Sequence, residues 1–107
     1  MSRGPINARA RIDLKATLEG GLTEPLHTPT PSLVFRRGTD SDPGPGVIGV
    51  IHTDQREALV PGTALTATVV FPEDEAHDVV YVGARFVLWN LRVVGYAEIV
   101  SVEGGRP

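Results

Sequence analysis

From Arg11 to Leu18 the chain alternates between wet and oily positions: Ile12, Leu14, Ala16 and Leu18 are apolar, and Arg11, Asp13, Lys15 and Thr17 between them are not. A period of two sends successive side chains to opposite sides of an extended backbone, so this stretch predicts a β-strand with one buried and one solvated face. Glu19-Gly20-Gly21 then supplies residues that tolerate a positive φ, which ends the strand. The same period returns in "TALTATVVF", where Leu65, Ala67, Val69 and Phe71 share one face and Thr66, Thr68 and Val70 the other. "SLVFRR" and "VIGVIHT" (Val47 to Thr53) are shorter β-branched runs. The closing segments "VVYVGARFVLW" and "RVVGYAEIVSV" form a hairpin turning at Trp89-Asn90-Leu91-Arg92.

The intervening segments read as connections. "LTEPLHTPTP" has three prolines, which remove backbone donors and disfavour helix at each preceding residue, so it crosses the surface as an extended loop. "GTDSDPGPG", Gly38 to Gly46, is a second loop dense in Gly, Pro and Asp. "DQREALVPG" is the one place where a helical turn competes, but Pro61-Gly62 favours a turn feeding the next strand. "PEDEAHD" is an acidic turn. Six strands, no helix and turn signals at about every ten to fifteen residues predict an all-β protein, a small sandwich or barrel.

Composition narrows this further. At 107 residues the chain is sized for one domain, expected at 10–103 between short tails at 1–9 and 104–107. Its 41% hydrophobic and 21% charged residues suffice for a core without help. It has no cysteine, so disulfides and thiolate metal sites are excluded. "MSRGPINARAR" lacks the apolar region of a secretory signal, and no apolar run approaches about 18 residues, so a soluble cytoplasmic protein with no membrane partner is expected. Net charge is −3, and the nine Arg and single Lys15 are scattered, which leaves no footprint for a phosphate backbone.

The order of the motifs resembles the C-terminal β-barrel, the third domain, of translation elongation factor Tu. The likeness runs across about residues 10–102 and is carried by "TPSLVFRR" at Thr30 to Arg37, "VPGTALTATVVF" at Val60 to Phe71 and "GARFVLWNLRVVGYAEIVSV" at Gly83 to Val102. The "EGG" and "HTP" of that family correspond to Glu19-Gly20-Gly21 and His27-Thr28-Pro29, with extra residues between them. Where the family has an aspartate after Pro-Gly, this chain has Thr63, and its last hairpin is tighter. The resemblance implies a small six-stranded antiparallel closed barrel, an interaction module associated with translation. The family's tRNA contacts do not carry over: Leu22 stands where the family has a basic residue, and the last hairpin keeps only Arg92. A tRNA partner is therefore not expected.

Candidate chemistry is sparse. No G-x-x-x-x-G-K-[ST] loop is present, so no nucleotide is expected. His27, His52 and His77 fall on separate loops or strand ends without ligand spacing, Asp40 and Asp42 lack the closing glutamate of a calcium loop, and Ser32, Ser41 and Ser101 lack an elbow. The expectation is a protein that is not an enzyme, with no cofactor and no metal. The competing reading is a small metal-dependent hydrolase using His52, His77 and the acidic residues Glu73, Asp74 and Glu75.

The last hairpin is the candidate site. If Ala84, Phe86 and Leu88 point inward, alternation turns Arg85, Val87 and Trp89 outward, and on the facing strand Val94, Tyr96 and Glu98. Val87, Trp89, Val94 and Tyr96 would then form an exposed apolar patch rimmed by Arg85 and Arg92, a composition typical of interface hot spots. It predicts a protein partner or self-association. The alternative is that Trp89, the only tryptophan, folds over the barrel end and plugs it.

Overall fold

The computed structural model describes residues 4–28, 33–39, 42–54, 57–90 and 92–103. Six strands close into one antiparallel barrel: β1 (Ile6–Leu14), β2 (Leu33–Gly38), β3 (Pro43–His52), β4 (Ala64–Phe71), β5 (Arg85–Trp89) and β6 (Val93–Glu103). Around the barrel the order is β1-β4-β3-β2-β5-β6, and β6 returns to β1. Three of the six pairings join neighbours in sequence, and the other three bring distant segments together.

β1 shows why alternation was informative and where it stops. Ile6, Ala8, Ala10, Ile12 and Leu14 are buried on one face, so the strand reaches back into the segment expected to be an N-terminal tail. It ends at Leu14 rather than Leu18, which is 101% exposed. Beyond Leu14 the chain turns through a 3-10 turn, Thr17–Glu19, closed by Gly20 at φ 93°. The Thr17 hydroxyl donates to the Leu22 carbonyl at 2.7 Å, which holds the turn in place of a ladder.

The interior alternates small and large side chains. Ala97 of β6 lies between Ile12 of β1 and Phe86 of β5, leaving space for the ring. Phe35 meets Phe71 and Phe86 edge-on, at centroid separations of 5.0 and 5.9 Å. Such pairs contribute about 0.5–1.5 kcal/mol each beyond the area they bury. Gly49 makes room for them: a Cβ there would lie 2.6 Å from the Phe35 ring.

Three elements differ from their expected form. β3 begins at Pro43, so the second half of the Gly/Pro-rich segment is strand rather than loop. Prolines are tolerated here because the earlier part of β3 pairs with β2 alone, β4 reaching only Val50, Ile51 and His52, so one side of this stretch is an edge, where prolines are accommodated. On that open side the Ile48 N–H donates to the Glu73 carboxylate at 2.7 Å. The acidic turn continues into a one-turn helix, α1 (Ala76–Val79), although no helix was expected. Ala76 and Val80, four apart, are both in the core, and acidic residues precede the helix where its N-terminal dipole favours them. The run from Val79 to Gly83 is consequently helix end and turn, and β5 is only five residues long.

The proline-rich connection between β1 and β2 is tied to the β3–β4 loop. Leu26 and Leu59 exchange backbone hydrogen bonds, and the Thr28 and Thr53 hydroxyls gather on the Glu57 carbonyl at 2.7 and 2.8 Å. Among the described residues no helix is long and apolar enough to cross a membrane.

Candidate functional site

The last hairpin is β5 and β6, and their pairing carries an irregularity that rearranges the expected patch. Leu88 faces Gly95, but Trp89 faces Val93, so Val94 is an extra residue on β6. A bulged residue breaks the alternation of its strand. Val94 therefore turns into the core and is 1% exposed, where simple alternation placed it outside. Val87 does lie on the outer face but is 4% exposed, with its cross-strand neighbours Arg36 and Tyr96 on either side. These two members of the expected exposed apolar patch are thus corrected to buried residues.

Trp89 neither plugs the barrel nor stands free. It is half-buried on the outside of the wall, beneath the Arg36 guanidinium at 4.6 Å from the ring centroid. Arg36 is aimed by a 2.9 Å hydrogen bond from its Nε to the Gly44 carbonyl. The indole thus fastens β5 to the β2–β3 ribbon. Arg92 is likewise committed, its Nε and Nη2 donating to the Gly20 and Gly21 carbonyls at 2.8 Å each. This clamps the β5–β6 turn to the loop after β1. Of the six expected site residues, Arg85, Arg92 and Tyr96 are exposed; Arg92 serves the turn, and Arg85 and Tyr96, the latter 37% exposed, stand on the outer wall.

These two stand over a feature that hydropathy did not isolate. On the outer wall formed by β1, β6, β5 and the end of β2 lies a groove of about 450 Å³. Its rows follow from the strand register. Arg11, Glu98 and Arg85 stand side by side on β1, β6 and β5. Two residues along, Asp13, Tyr96 and Val87 form the next row. Gly38 and Thr39 close the groove on the β2 side. The Arg85 Nε is 4.0 Å from the Glu98 carboxylate, a long pair with the arginine side chain 82% exposed. The Lys15 ammonium lies 6.0 Å from the Tyr96 ring centre at the far end.

Arg11, Asp13 and Glu98 were legible only as the wet face of their strands. The pairing of β1 with β6, the first strand with the last, turns them into one site, and alternation within a strand carries no information about its neighbours. A second hollow, of about 540 Å³, lies between the β2–β3 ribbon and α1 and is lined by the Gly44-Pro45-Gly46 stretch together with Arg37, Asp42 and Glu75.

No protein-family model and no curated protein matches this chain.

The residues weighed for metal or hydrolytic chemistry are dispersed. His52 is at the end of β3, while His77 on α1 is bonded through Nε2 to the Gly4 carbonyl at 2.8 Å. Among the described residues no three His, Asp or Glu side chains converge as metal ligands would. Glu73 is engaged with the β3 backbone. Asp40, Ser32 and Ser41 lie outside the described residues.

Proposed function

We propose that this protein is a non-enzymatic β-barrel binding module of the cytoplasm that docks another protein chain against the outer wall of β1, β6 and β5. The observation that carries this reading is the groove beside Tyr96, where an exposed phenol, two arginines and two carboxylates surround the apolar floor of Val87. Aromatic and arginine side chains over a desolvated floor are the composition of interface hot spots. Mixed charge on the rim sets orientation more than affinity. The closed six-stranded barrel is compatible with kinship to the third domain of elongation factor Tu, and we extend the proposal to a partner shared with that factor.

The test is capture of partners on immobilised protein, comparing the native chain with Tyr96→Ala and Arg85→Glu. Both substitutions fall on exposed side chains and leave the core alone. Loss of a specific captured species in both variants supports docking at this wall, and its association with elongation factor Tu or ribosomes supports the translational extension. Capture unchanged by either substitution overturns the reading.

A further inference from the structure

The groove's two rows complement each other, and we propose that the protein chain docked there is a second copy of this one. This rests on the docking reading above and names its partner. The row between them, Ile12, Ala97 and Phe86, points into the barrel. Consider a two-fold axis lying in the plane of the wall, across the strands, along that row. Such an axis reverses strand direction and leaves the order of the strands unchanged, so β1 stacks on β1 of the other copy, β6 on β6 and β5 on β5.

Row then meets row. Arg11 falls opposite Asp13 of the second copy, Glu98 opposite Tyr96, and Arg85 opposite Val87. The first match sets guanidinium against carboxylate and the second sets a phenol beside a carboxylate, while in the third the aliphatic stem of Arg85 lies over the wall that seals the buried Val87. The axis repeats every match, because a two-fold interface is isologous. Arg11 and Asp13 carry most of the argument. They are exposed, opposite in charge, two residues apart on one face of β1, and among the described residues neither side chain has a hydrogen bond or ion pair. Stacked sheets lie about 10 Å apart with strands within about 30° of alignment, a spacing that side chains of this length span from both sides.

The experiment is sedimentation equilibrium on the native chain and on charge variants, over about 10 μM to 1 mM, the range that covers weak and moderate homodimers. The native chain is expected to dimerise. Arg11→Asp places two carboxylates against each other and Asp13→Arg two guanidiniums, so each alone is expected to weaken association about tenfold or more. An equimolar mixture of the two variants is expected to form mixed dimers, because each then supplies what the other lacks, and the double exchange R11D/D13R is expected to restore self-association. Circular dichroism confirms that these exposed changes leave the barrel folded. A native chain that stays monomeric to about 1 mM overturns the self-pairing, as do single variants that associate undiminished or a mixture that fails to pair. If that monomer nevertheless captures another protein and loses it with Tyr96→Ala, the docking reading stands and only the identity of the partner falls.

Discussion

At the scale of single residues, the one tryptophan is explained by its neighbour in space rather than in sequence. Arg36 covers the indole and is itself held by the Gly44 carbonyl, so one side chain joins β2, β3 and β5. Cation–π contacts contribute from about 0.5 to 2 kcal/mol with desolvation. Arg36→Ala is therefore expected to lower unfolding free energy by about 1–2 kcal/mol and to shift Trp89 emission to longer wavelength as water reaches the ring. Arg36→Lys should not restore it, since an ammonium lacks the planar fork that stacks and bonds at once. Gly49 gives the complementary case inside the barrel: Gly49→Ala drives a methyl to 2.6 Å from the Phe35 ring. Overpacking of this kind costs about 1–3 kcal/mol, to be read as a lower denaturation midpoint with an unchanged m-value. Neither contact was legible beforehand. Alternation reports which side of a strand a residue takes, and so it placed Val87 on the outer face correctly, but it is silent on what covers that face.

At the scale of elements, the strands that alternate cleanly were legible and those governed by their edges were not. β4 carries its buried Ala67, Val69 and Phe71 as the period predicts. β3 was half hidden, because Gly and Pro signal a loop unless one knows that the strand lies beyond the reach of β4. The bulge at Val94 was invisible for a related reason, since the extra residue exists only relative to Trp89 across the ladder. The exposed edge of β3 calls for protection, and Glu73 provides it by accepting the Ile48 N–H. Glu73→Ala should cost about 1 kcal/mol and leave that edge open to other chains. The expected readout is earlier light scattering on heating than in the native protein, with Glu73→Gln, which keeps an acceptor oxygen, falling between the two.

At the scale of the whole molecule, closure makes the first strand depend on the last. β1 pairs with β6 from Asn7 to Leu14, and neither strand is adjacent in the chain to the other. Removing this seam would leave two long edges and open a core whose small residues, Ala8, Ala10 and Ala97, lie along it. A half-closed form would expose both edges and that core, so unfolding should be all-or-none. Trp89 supplies a local probe at β5 and far-UV circular dichroism a global one, so their denaturant transitions should superimpose. A seam substitution makes the test sharper. Ile99→Ala removes a side chain that is 1% exposed beside Ala10 and should cost about 2–5 kcal/mol. If closure governs the fold, both probes move to the lower midpoint together, although Trp89 is on another strand. An indole signal that stays at the native midpoint while the ellipticity falls would show that the seam opens on its own, and the barrel would then behave as two sheets rather than one cooperative wall.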